Sequence, residues 1–114
     1  MRDHTKLIAF RLADELALEV YGETRHFPPE ERYGLASQLR RSSVSVASNI
    51  VEGCGRDSMA EYLRFLDMAH GSARELEYQL SLATRLGFIE SSSELIPKSV
   101  ELSKVLNGLI HSFR

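Results

Sequence analysis

The chain has 114 residues, 43% hydrophobic and 26% charged, with a formal net charge of −2. That length suits one domain with one modest core and excludes two. An isoelectric point of ≈ 6.1 excludes tight nucleic-acid binding by bulk positive charge and leaves a local basic patch open.

Cys54 is the lone cysteine, so no intramolecular disulfide can form, which fits a reducing compartment. The N-terminal MRDHTKLIAF lacks the apolar core and small-residue cleavage site of a secretory signal. No apolar run approaches the roughly 20 residues of a membrane span. The expectation is a cytoplasmic protein that does not engage a membrane.

A first helix is predicted from Thr5 to Tyr21. Leu7, Phe10, Ala13, Ala17 and Val20 recur at spacings of three and four, with Ile8, Leu12 and Leu16 widening the apolar face. Thr5 is the expected N-cap and Gly22 the expected stop. After a connector, Phe27 is expected to fold back onto the core. Pro28 and Pro29 open a second helix from Pro29 to Glu52, favoured by Glu30 and Glu31 beside its positive end. Leu35, Leu39, Val46 and Ile50 form its stripe, with Ala36 and Ala47 beside it and Ser43 within it. Gly53-Cys54-Gly55 is the expected terminator.

Ser58-Met59-Ala60-Glu61 is a capping box for a third helix running to about Leu86. Met59, Tyr62, Leu66, Ala69, Ala73, Leu76, Leu80 and Ala83 make an unbroken seam, the pattern of helices packed nearly parallel. Gly71 costs about 1 kcal/mol against alanine in mid-helix, and close helix contact is the expected return. Gly87 is the C-cap. A second face holds Phe65, Met68, Leu82 and Leu86 with Ser72 and Gln79. That face suits either a broad core surface or a partner, most simply another copy. A fourth helix spans Glu94 to Phe113, with Leu95, Leu102, Leu106, Leu109 and Phe113 inward and Val100 and Ile110 flanking. Pro97 implies a start near that residue or a distorted first turn. Four helices with short connectors predict an all-α, up-down-up-down antiparallel four-helix bundle filling a single domain, residues 1–114.

QLRRSSVSVASNIVEGCGR and EYLRFLDMAHGSARELEYQLSLATRLGFI carry a resemblance that covers nearly the whole chain. The sequence resembles the small four-helix-bundle proteins encoded in intervening sequences of bacterial 23S rRNA genes. The matching positions are Arg40, Arg41, Ser45, Asn49, Ile50, Glu52, Gly53 and Arg56, then Arg64-Phe65-Leu66, Gly71-Ser72 and Glu75-Leu76-Glu77. Ala47 stands where the family often has proline, and Val51 where alanine is usual. The resemblance implies a protomer that assembles into a ring, with homopentamers among relatives. It also implies a link to nucleic acid, through a related branch that serves diversity-generating retroelements as accessory proteins.

Arg41, Ser45, Ser48 and Glu52 are spaced by four, three and four and share a helical face, with Asn49 beside them. One reading is a recognition strip, with Arg40, Arg41 and Arg56 contacting RNA or DNA phosphates. The other is a polar network between helices or subunits, favoured because Glu52 repels phosphate and buried polar groups usually serve other protein groups. Arg64, Arg74, Arg85, Lys98 and Lys104 could extend a basic patch. They alternate with acids, Arg74 with Glu75 and Glu77, and Lys98 and Lys104 with Glu101.

No catalytic constellation emerges. Glu23-x-x-His26 falls in a connector and Asp67-x-x-His70 lacks a facing partner, so no metal or other cofactor is expected. Cys54 lies near Arg56, which could lower its pKa, but no histidine is placed as its base. The function expected is non-enzymatic: an oligomeric adaptor with a nucleic-acid surface, or a scaffold for a protein partner.

Overall fold

The computed structural model describes residues 2–114. Met1, the first residue of the expected domain, lies outside them. Four helices carry the fold: α1 (Ile8–Thr24), α2 (Leu35–Cys54), α3 (Met59–Arg85) and α4 (Leu95–His111). They form the expected antiparallel bundle. Each helix packs on its chain neighbours, α1 closes the square against α4, and the backbones of the diagonal pairs stay apart. At 1.5 Å per residue, the 27 residues of α3 span about 40 Å, nearly the molecule's 43 Å long axis.

The core is one continuous cluster. The α3 seam from Tyr62 to Ala83 is buried to 1% exposure or less, and truncating a Leu such as Leu66 or Leu76 there costs about 2–5 kcal/mol. Leu39, Val46 and Ile50 of α2 meet it, with Leu16 and Val20 of α1 and Leu102 and Leu106 of α4. Phe27 folds back as expected and packs at 5.4 Å against Phe88. Met59, expected in the seam, lies outside it and is exposed. The second face of α3 divides: Phe65 and Gln79 are buried, whereas Met68 and Leu86 are exposed. On α4, Ile110 is buried while Leu109 is half-buried, and Phe113, expected within the fourth helix, lies past its end and is exposed. Phe113 packs edge-on to Tyr62 at 5.7 Å instead.

Several helix ends differ from their sequence signals. Thr5 does not cap α1; Asp3 accepts its N–H at 3.0 Å and starts a 3-10 turn, His4–Lys6, before α1. α1 runs through Gly22 and ends at Thr24, whose hydroxyl donates to the Val20 carbonyl at 2.7 Å. A 3-10 turn, Pro29–Glu31, is separate from α2. Gly34 intervenes, and the Glu31 carboxylate accepts the Leu35 N–H at 3.1 Å. A Cβ on Gly34 would sit 2.9 Å from that same carboxylate, so the glycine makes room for the cap.

α2 ends within the expected Gly53-Cys54-Gly55 terminator, two residues past Glu52, with Cys54 its last residue and Gly55 its C-cap. A Cβ on Gly53 would meet Phe65 Cβ at 3.0 Å and the Tyr62 carbonyl at 3.3 Å. Gly53 is therefore the glycine of close helix contact. Gly71, expected in that role, faces open space. Ser58 accepts the Glu61 N–H at 3.1 Å, as the capping box requires, but Glu61 turns to Arg64 instead of reaching back. Gly87 (φ 82) ends α3. Its N–H reaches the Thr84 carbonyl and that of Phe88 the Ala83 carbonyl, a Schellman closure. Pro97 falls in the first turn of α4, where its missing N–H leaves nothing unpaired.

Candidate nucleic-acid interface

The C-terminal end of α1, the Pro28–Gly34 turn and the first half of α2 enclose a concave surface with α3. Its larger cavity, about 990 Å3, is lined by Tyr21, Arg32, Tyr33, Arg40 and Arg41, with Glu75 and Gln79 on the α3 wall. A second cavity of about 540 Å3 adjoins it, sharing Arg32, Tyr33 and Arg40 and adding Arg25. Four arginines and a single acid, Glu75, line the two together. A chain of net charge −2 thus gathers a local positive surface.

The sequence-predicted residues take different places. Arg40 is built into the groove wall. Its Nε donates to Thr24 Oγ1 at 2.8 Å, and its guanidinium lies 4.6 Å from the Tyr21 ring centroid. It also donates to the Tyr21 carbonyl at 3.4 Å, placing a cation at the negative end of α1. Arg41 is exposed, and among the described residues neither it, Arg25 nor Arg32 makes an ion pair. Arg56 is not part of this surface. Fifteen positions separate it from Arg41, about 22 Å at helical rise. There it pairs with Glu52 at 3.1 Å and covers the Phe65 ring at 4.8 Å.

The polar strip divides in two. Ser45 hydrogen-bonds across to Ser72 of α3 at 2.9 Å, and Asn49 donates to the Ser45 carbonyl at 2.9 Å. Ser48 is exposed, and so is Glu52 beside Arg56. Deeper, Ser42 donates to Gln79 at 2.7 Å, forming part of the groove floor. Ser45 and Asn49 thus serve an interhelical network, and only Arg41 of the strip opens onto the groove with an unpaired charge.

The other cations expected to extend the patch are mostly engaged. Arg64 binds Glu61 at 2.8 Å, which holds the Glu61 carboxyl below its usual range. Arg74 approaches Glu77 at 3.9 Å. Lys98 reaches across to Glu19 of α1 at 2.5 Å rather than to Glu101, and that bond raises its pKa. Burial, opposed by the Arg2 charge, pushes the Cys54 thiol up; Arg2 donates its N–H to the Cys54 carbonyl at 2.9 Å. Asp67 is held by Arg114 at 2.6 Å. Among the described residues, no group of three His, Cys, Asp or Glu is placed to hold a metal ion, and no helix is long and apolar enough to cross a membrane.

Sequence reasoning missed Tyr21, Arg25, Arg32 and Tyr33. Their signal was present as aromatic residues interleaved with arginines, Tyr21, Arg25, Arg32-Tyr33 and Arg40-Arg41, spread across a helix tail, a connector and a helix start.

Comparison with known proteins bears on the fold and family. The family model described as 23S rRNA-intervening sequence protein matches residues 5–108. A solved Bacteroides thetaiotaomicron structure, a protein of unknown function from the S23 ribosomal protein family, superposes with a TM-score of 0.83. The two are 24% identical, with 90% of this chain and 98% of that one covered. No curated protein matches the sequence.

Proposed function

The chain belongs to the 23S rRNA-intervening sequence protein family, and from that premise we propose a non-enzymatic protein that binds nucleic acid through the arginine- and tyrosine-lined groove. One observation carries the reading: among the described residues Arg25, Arg32 and Arg41 are exposed and make no ion pair, and they lie beside Arg40 on a concave surface with a single acid. Unpaired arginines on a shared surface suit phosphates, which they contact with paired hydrogen bonds. The family's name makes RNA the first ligand to try.

The protein works as a homo-oligomer, with a pentameric ring the form its family resemblance suggests. Exposed Met68 (38%) and Tyr78 (61%) on α3, with Leu86 (55%) at its C-cap, support a contact between copies. A ring would repeat a patch of few cations and multiply its affinity. The lone, buried Cys54 fits a cytoplasmic setting. A second reading, a scaffold for a protein partner, is favoured by Ile8 (59%) and Leu18 (70%) exposed on α1.

Fluorescence anisotropy with a short labelled RNA separates the two. Binding is expected at low salt and lost at high salt, because phosphate contacts release counterions. Arg41→Ala should flatten the plot of log affinity against log salt by about 1 without changing the melting temperature, and Arg32→Ala should act alike. Arg56→Ala, at the far end of α2, should leave binding unchanged. Absence of binding at low salt would leave the scaffold reading.

A further inference from the structure

We propose that the groove takes a single strand of nucleic acid, with one base seated on the ring of Tyr33 and the neighbouring phosphates on Arg32 and Arg41. The inference rests on the nucleic-acid reading above and specifies the form of the ligand. Tyr33 is 88% exposed, the greatest exposure among the large hydrophobic side chains of the described residues. An exposed tyrosine alone is ordinary. This one is presented on a fixed turn. Glu31 N–H bonds the Pro28 carbonyl at 2.9 Å, Arg32 N–H the Pro29 carbonyl at 3.1 Å, and Gly34 N–H the Glu31 carbonyl at 3.0 Å. Pro28 and Pro29 restrict the same turn further. A ring held on such a backbone loses little freedom when a flat partner covers it.

Its neighbours complete the chemistry. Tyr33 lines both cavities, together with Arg32 and Arg40. Arginines take phosphates, and aromatic faces take unstacked bases whatever their sequence. The Tyr21 ring already carries the Arg40 guanidinium at 4.6 Å, which leaves Tyr33 as the open platform. Glu75 repels phosphate but accepts hydrogen bonds from the amino groups of base edges, and it stands on the α3 wall of the groove. In a duplex each base face is covered by the next pair, so an internal base cannot use the ring. An acidic peptide would engage the arginines but leave the tyrosine ring without a stacking partner.

The test is anisotropy at low salt with one labelled RNA, offered as a single strand and as a blunt duplex. The single strand should bind about tenfold tighter, since stacking on one aromatic ring is of that order. Tyr33→Ala should lose about tenfold for the single strand only, and Tyr33→Phe should keep the affinity. The chain has no tryptophan, so Tyr33→Trp supplies a lone fluorophore that a stacked base quenches. Equal binding of the two forms, with Tyr33→Ala unaffected and Arg41→Ala still weakening both, would overturn the single-strand inference and leave nucleic-acid binding standing. No binding of either form would overturn both.

Discussion

Two glycines have opposite roles, and alanine at each should show it. Gly53 lies where a Cβ would press on Phe65 Cβ at 3.0 Å and on the Tyr62 carbonyl at 3.3 Å. Gly53→Ala should lower unfolding stability by about 1–3 kcal/mol, the cost of overpacking. Gly71 faces open space in mid-helix, and Gly71→Ala should raise stability by up to about 1 kcal/mol through helix propensity. Urea unfolding of both variants checks the pair; a destabilised Gly71→Ala would point to another copy packed on that face. Cys54 offers a second check at this scale. Burial raises its thiol pKa, so the folded protein should react with iodoacetamide far more slowly than the unfolded chain at the same pH. The folded thiol keeps its proton at a pH where the unfolded one has lost it, so this contribution to stability is present at neutral pH and falls as pH rises past the ordinary thiol range. Reaction of the native thiol as fast as the unfolded one would show that the α2 end is open.

The helices themselves were legible from apolar spacing, because α3 and α2 bury one continuous stripe each and periodicity reports burial. Their ends were less so. Gly22, Gly53 and Gly71 give the same local signal, yet none terminates a helix; whether a glycine ends a helix or admits a neighbour depends on tertiary surroundings that sequence spacing does not encode. The Arg41–Glu52 strip shows the same limit. Spacing placed its members on one face, but Ser45 and Asn49 are used inward because α3 brings Ser72 to 2.9 Å from Ser45. The α2–α3 contact also holds the buried Ser42–Gln79 bond at 2.7 Å. A double-mutant cycle of Ser42→Ala and Gln79→Ala should give a coupling energy of about 1 kcal/mol. A coupling near zero would mean that each group finds another partner equally well.

At the scale of the whole molecule, the arginines and tyrosines of the groove come from three segments that are separate in sequence. The α1 tail supplies Tyr21 and Arg25, the proline turn Arg32 and Tyr33, and α2 Arg40 and Arg41. The arginine pair could be seen in the sequence, whereas its companions could not be assigned to it until Arg40 had been placed against Thr24 and Tyr21. Arg56 is near in sequence and not on the surface, since it follows the far end of α2, about 22 Å away. Location is therefore what most needs testing, and photocrosslinking reads it without regard to oligomer size. RNA carrying a photoreactive base, crosslinked at low salt and followed by trypsin digestion and mass spectrometry, should modify the peptide from Tyr33 to Arg40. Crosslinks confined to the Asp57–Arg64 peptide beyond the far end of α2, or an absence of crosslinks under conditions where the RNA is bound, would contradict a groove at the α1–α2 end.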